Sequence, residues 1–125
     1  VSREFLIAVV DDDESFRTAL VDSLGSFGYS ARGFASAEDF IAWEADASWQ
    51  CVITDIHMPG MSGFDLARLL TGRRRGMPVV MVTASSNPGI DHQAAAIGVI
   101  CLLRKPFRTE ELIDCVEKAL KIEES

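Results

Sequence analysis

An α/β domain built on a doubly wound, five-stranded parallel sheet with five helices is the fold class this sequence predicts. Three observations predict it. Short β-rich apolar runs alternate five times with segments of helical period. Those runs are largely apolar on both faces, as a parallel sheet covered by helices on both sides requires. The length is right as well: 125 residues, 48% apolar and 25% charged, suit one domain, and five strand-helix units use them up with no linker, repeat or low-complexity stretch.

The first unit runs from "EFLIAVVDD", an apolar strand ending in acid, into "DESFRTALVDSLGSFGY". There Phe16, Leu20, Leu24 and Phe27 recur at helical spacing, with Gly25 and Gly28 as stop signals. "SARGF" is a short second strand and "SAEDFIAWEA" a second helix, opened by Ser36 as N-cap with Asp39 three residues on. "CVITD" is the third strand and "SGFDLARLLTG" the third helix, carrying Phe64, Leu66, Leu69 and Leu70. "MPVVMVTA" is the fourth strand. A short helix near "PGIDHQAAAIG" follows, limited by Pro88 and Gly89, then a fifth strand "VICLL" and a last helix, "TEELIDCVEKALKI", bearing Leu112, Ile113, Val116, Ala119 and Leu120.

Composition excludes several function classes. A formal net charge of −7 does not invite a polyanion, so no direct nucleic-acid binding is expected, and the basic cluster Arg73, Arg74 and Arg75 between glycines reads as a solvated turn. Cys51, Cys101 and Cys115 form no metal-ligand spacing and read as reduced core residues. No run reaches the roughly 20 apolar residues of a membrane span and no secretory leader is evident, so a cytoplasmic protein with no membrane contact is expected. A chain that opens on Val1 rather than Met points to processing, renumbering or excision, so either a stand-alone chain or a piece of a longer one is expected. Nucleotide-binding enzymes lack support, since neither a GxGxxG turn nor a GxxxxGK[ST] loop occurs.

In doubly wound sheets, ligands bind beyond the carboxyl ends of the strands. Those exits carry Asp11 and Asp12 after the first strand, Asp55 after the third, Thr83 after the fourth, and Lys105 with Pro106 after the fifth. Three carboxylates at adjacent strand ends make an oxygen cage for a hard divalent cation, and Mg²⁺ favours a few carboxylates together with waters and phosphoryl oxygens. Lys105 offsets part of that charge and can meet an incoming phosphoryl group, to which the Thr83 hydroxyl can donate. Each residue also has a plainer reading. Asp13 and Glu14 open a helix and are assigned first to capping. Asp11 and Asp12 alone are divided between capping and metal binding. Asp55 alone is turn chemistry, Thr83 a β-branched strand residue and Lys105 a solvated lysine. Met58, Pro59, Gly60 and Gly63 shape a loop. Only the joint order of the exits favours a site.

That order, an acid pair followed by "ITDIHMPGMSGFDL", "VVMVTA" and "LLRKPF", resembles the receiver domain of bacterial two-component response regulators, over essentially the whole chain. With "VVDDDES" and "GFASAEDF" it is most similar to receivers of LuxR-type helix-turn-helix transcription regulators, although no DNA-binding segment occurs in these residues. The resemblance implies a flavodoxin-like sheet of order 2-1-3-4-5 and one receiver domain over residues 1–125. It implies that Asp55 accepts a phosphoryl group from the phosphohistidine of a sensor histidine kinase or a phosphotransfer protein. It further implies Mg²⁺ at Asp11, Asp12, Asp55 and the backbone carbonyl of His57, with Asp12 a direct ligand, and Thr83 and Lys105 on the phosphoryl oxygens. A cis Lys105–Pro106 peptide belongs to the same pattern, and proline makes it feasible. Beyond transfer to its own aspartate and loss of that group, no enzyme activity is implied. The partners implied are an output domain or downstream protein and a phosphorylation-dependent homodimer. The output surface lies on the fourth helix, fifth strand and fifth helix, where Ile90, Ile97, Leu102, Leu103 and Pro106 are candidates.

Two positions depart from or qualify the pattern. Three residues before the lysine, receivers usually carry Tyr or Phe as a rotameric switch, and this chain has Leu102. A phosphorylation-independent adapter is therefore the alternative reading. His57 stands where phosphatases of the haloacid dehalogenase class need a second acid, which argues against that class. As an exposed loop side chain beside the acceptor, it is expected to affect hydrolysis of the acyl phosphate. Equal acyl-phosphate lifetimes in the wild type and His57→Ala would remove that expectation.

Overall fold

A computed structural model describes residues 6–44, 48–73 and 77–124. Strands and helices alternate throughout: β1 (Leu6–Val10), α1 (Glu14–Ser26), β2 (Ser30–Phe34), α2 (Ala37–Glu44), β3 (Cys51–Asp55), α3 (Gly63–Arg73), β4 (Val79–Thr83), α4 (Gly89–Ile97), β5 (Cys101–Arg104) and α5 (Thr109–Glu124). The five strands are parallel and lie in the order β2-β1-β3-β4-β5. Arg74 and Arg75, from the basic turn, lie outside the described residues.

Strand alternation divides the core between two layers. Ile7, Val9, Cys51, Ile53, Val80, Val82 and Leu103 face α1 and α5, meeting Leu20 and Leu24 on the former and Leu112, Val116, Ala119 and Leu120 on the latter. Ala8, Val10, Val52, Val79 and Met81 face α2, α3 and α4, where Phe40, Leu66, Leu70, Ile90 and Ala94 cover them. Strands covered on both faces favour apolar residues at nearly every position, which is why β1, β3 and β4 read as near-continuous apolar runs. At the edge, β2 is free of that demand and exposes Arg32 and Gly33.

Helix ends follow local chemistry. The Asp13 side chain accepts the Phe16 N–H at 3.1 Å and caps α1, while Ser36 and Ser62 take the Asp39 and Asp65 N–H groups ahead of α2 and α3. Gly25 does not stop α1, which runs on to Ser26; the chain turns at Gly28, and the Tyr29 N–H returns to the Leu24 carbonyl. The fifth strand begins at Cys101, two residues later than "VICLL" suggests, and extends to Arg104. Val99 is engaged elsewhere: Gly98, at φ 92°, takes the left-handed turn that ends α4, and the Val99 N–H returns to the Ala94 carbonyl.

Cys51 and Cys115 are buried and Cys101 is half-buried at the rim of the same layer; none of the three is in a disulfide. Burial first, and the adjacent Cys101 second, push the Cys115 thiol up to about 12, which removes it as a nucleophile at neutral pH.

Candidate functional site

β1 and β3 are neighbours, but the chain leaves β1 toward β2 on one side and reaches β3 only afterwards. The carboxyl ends of these two strands therefore flank the point where the strand order reverses, and both end in acid. One carboxylate oxygen from each of Asp11, Asp12 and Asp55 comes within 4.8 Å of the others. Asp11, only 2% exposed, is held on every side: its N–H donates to the Phe34 carbonyl, its carbonyl accepts from Arg17 Nη1 at 2.7 Å, and its Oδ1 accepts the Asp13 N–H at 2.9 Å. Asp12 is exposed, and Asp55 lies between the two in burial.

Lys105 closes the site from β5. Its Nζ donates to Asp11 Oδ2 at 3.2 Å and lies 4.0 Å from Asp55 Oδ1. The ammonium also rests 3.9 Å above the ring centre of Phe16, which stands edge-on to Phe107 at 6.0 Å, so an aromatic face supports its position. The peptide between Lys105 and Pro106 is cis, as the resemblance implies, and the Lys105 N–H donates to the Thr83 carbonyl at 2.8 Å. Thr83 is fully buried at the end of β4, where its Oγ1 accepts the Ser85 N–H at 3.0 Å.

The charges at this site are not balanced. Burial raises the Asp55 carboxyl from 3.8 to about 6, the Asp11 charge adds to that rise, and Lys105 and the Ile56 amide work against it. A small hard cation with open positions for water meets this need: oxygen donors converge from three carboxylates while a single ammonium offsets them, so the residues fit Mg²⁺.

The loop after Asp55 is tied closely to the strand end. The Gly63 N–H donates to the Ile56 carbonyl at 2.8 Å, and a Cβ at Gly63 would lie 2.2 Å from the Asp55 carbonyl oxygen. Only glycine permits that approach, which is the loop-shaping role expected of it. The α2 residue Glu38 accepts the Met61 N–H at 2.9 Å, which holds the pKa of its carboxyl below the usual range and fastens the far side of the loop.

The structure thus gathers Asp11, Asp12, Asp55 and Lys105, with Thr83 hydrogen-bonded to the Lys105 backbone. His57 is exposed on the loop, and Pro106 is exposed beside Lys105. Leu102 packs on the α4 side of the sheet, three residues from the cluster. Of the other surface candidates, Ile90 and Leu103 are core residues on opposite faces of the sheet. Sequence reasoning missed Phe16 as the seat of the Lys105 ammonium, Glu38, and Arg104. Arg104 had a visible signal, a charged residue ending an apolar strand; Phe16 was read as helix periodicity alone.

Residues 7–117 match the response regulator receiver domain. The transcriptional regulatory protein TdiR of Thauera aromatica is 33% identical over 116 residues, which are 93% of this chain and 51% of TdiR. The transcriptional regulatory protein FixJ of Bradyrhizobium diazoefficiens is 29% identical over 92% of this chain and 56% of its own length. The chain therefore spans about half the length of these curated relatives. Among solved structures, the Vibrio cholerae chemotaxis protein CheY4 superposes with a TM-score of 0.87 at 26% identity, covering 94% of this chain and all of that one. On the match over most of its length, on the strand order and on these relatives, the chain belongs to the family of response regulator receiver domains.

Proposed function

We propose that this domain accepts a phosphoryl group on Asp55 and, in doing so, changes its affinity for a protein partner. The observation that carries the reading is the convergence of Asp11, Asp12 and Asp55 within 4.8 Å, with Lys105 3.2 Å from Asp11 and 4.0 Å from Asp55. Asp11, Asp12 and Asp55, with the backbone carbonyl of His57, would hold Mg²⁺, Asp12 among its direct ligands. When bound, the ion neutralises charge on the oxygens of a transferring phosphoryl group.

The residues divide the remaining work. An Asp55 carboxylate oxygen attacks the phosphorus of a phosphohistidine or a small acyl phosphate, and the bond from phosphorus to the donor's nitrogen or oxygen breaks with its electron pair on the donor. Asp55 must be ionised to attack, and at neutral pH it is, since it titrates near 6. Lys105 places its ammonium against the phosphoryl oxygens, and the Thr83 hydroxyl donates to another of them. Water returns Asp55 to its free form by attack on the acyl phosphate.

The donor is a sensor histidine kinase or a phosphotransfer protein, in the cytoplasm, and residues 1–125 act as one receiver domain. An output domain, a downstream protein or a second copy of the chain receives the change. Among the described residues, no helix is long and apolar enough to cross a membrane. The acid cluster and the relatives favour this reading over a phosphorylation-independent adapter. Intact mass after incubation with a small acyl-phosphate donor tests it. The wild type is expected to gain one phosphoryl group only with Mg²⁺, and Asp55→Asn to gain none; partner affinity equal in the phosphorylated protein and in Asp55→Asn would restore the adapter.

A further inference from the structure

Arg104 ends β5 directly before Lys105, and its guanidinium turns to the segment between β4 and α4. Nε donates to the Ser85 carbonyl at 3.0 Å and Nη2 to the Asn87 carbonyl at 3.2 Å. Nη1 and Nη2 meet the two carboxylate oxygens of Asp91, in the first turn of α4, at 3.0 and 3.4 Å. A planar guanidinium holding a carboxylate by two oxygens fixes orientation as well as distance, which a lysine would not. The segment is also tied internally, Asn87 N–H to Ser85 Oγ and Gly89 N–H to Asn87 Oδ1.

Ser85 joins this clamp to the acid cluster. Its N–H is held by Thr83 Oγ1, and its carbonyl by Arg104. A continuous series of hydrogen bonds therefore runs from Thr83 through Ser85 and Arg104 to α4. The Leu102 side chain has no polar atom with which to join it and packs against the core layer that holds Ile90 and Ala94.

We propose that Arg104 is a positioning residue that holds the β4–α4 segment and the start of α4 in the arrangement of the unphosphorylated chain, and that a phosphoryl group on Asp55 reaches α4 by loosening this clamp. The proposal rests on Asp55 as phosphoacceptor with Thr83 beside the phosphoryl group. Drawing the Thr83 hydroxyl toward that group displaces the Ser85 amide. The Ser85 carbonyl then shifts off Nε, and because the guanidinium is rigid, its contacts to Asn87 and Asp91 must shift too. Linkage makes the effect reciprocal: whatever loosens the clamp must tighten the Asp55 site for a phosphoryl mimic. The Arg104–Asp91 pair is partly solvated, with side chains 36% and 53% exposed, so the coupling belongs at the low end of the usual range, about fivefold.

Trifluoroberyllate with Mg²⁺, which mimics an acyl phosphate on a carboxylate, is the probe. Its affinity is measured by calorimetry for the wild type, Asp55→Asn, Arg104→Met, Asp91→Asn and the double variant, with amide exchange followed through α4. Arg104→Met and Asp91→Asn are each expected to bind about fivefold more tightly. The double variant should bind no tighter than either single one, and amide exchange at Ile90 to Ala94 should already be raised in the unbound variants. A merely structural clamp would lower stability without tightening the site. Unchanged or weaker affinity, or additive effects, overturns the proposal; Asp91→Asn, altered only at an exposed side chain, keeps the test open if Arg104→Met does not fold. Failure of the wild type to bind, or equal binding by Asp55→Asn, overturns the acceptor reading itself and the proposal with it.

Discussion

Burial and the neighbouring Asp11 charge raise the Asp55 carboxyl, and that shift predicts its pH behaviour. Its carboxyl titrates near 6 in the folded chain against 3.8 ordinarily, with burial the largest cause and Asp11 the next. Between these values the folded state holds a proton that the unfolded state has lost. This group therefore favours folding at low pH, and that contribution is withdrawn as pH rises from about 4 through 6. In metal-free protein at pH 7, Asp55→Asn should accordingly raise stability by up to roughly 3 kcal/mol, and the difference should shrink toward zero as pH falls below about 4. Denaturant melts of both proteins across that range check it. Lys105 pulls the Asp55 value down from 4.0 Å away, so Lys105→Met should move the Asp55 titration above 6, as read by carboxyl NMR. At this scale the sequence was informative where a residue's chemistry is singular. Asp11, Asp12, Asp55, Thr83 and Lys105 were legible as polar groups at strand exits. The seat under Lys105 was not, because a phenylalanine at helical spacing looks the same whether it fills a core or supports an ammonium.

Loops and helix ends position those residues, and here sequence reading was accurate for starts and weaker for stops. Side-chain caps are written in residue type, so Asp13 and Ser36 were read correctly. Where a helix ends in a left-handed turn, the residue beyond is drawn into the cap, and the sequence does not show how far. That is why β5 begins at Cys101, after Val99 has bonded back to Ala94. The loop from Asp55 to α3 is the element with the least tolerance. With the Asp55 carbonyl 2.2 Å from a Cβ at Gly63, Gly63→Ala must push the loop away from the strand end. A loss of about 1–3 kcal/mol is expected, as for other overpacked sites, together with slower phosphoryl uptake. Thermal denaturation and the uptake rate are the two checks; wild-type values in both would show that the close approach is dispensable.

For the whole molecule, five strand-helix units were legible because each strand of the sheet interior is apolar at nearly every position before its exit and each helix is apolar on one side. The sheet order could not be read from those patterns. Order depends on which crossover lies on which face, and it came from the resemblance before the register of the strands bore it out. That order is also what brings acids from β1 and β3 together, so fold and site stand on the same topology. The measurement that tests the central claim most directly is the position of the acyl phosphate. Protein treated with a small acyl-phosphate donor and Mg²⁺ is reduced with borohydride, which converts an aspartyl phosphate to homoserine, and its peptides are sequenced by mass. The account predicts homoserine at position 55 and unaltered aspartate at 11 and 12; homoserine at either of those positions, or a chain that remains unmodified, would contradict it.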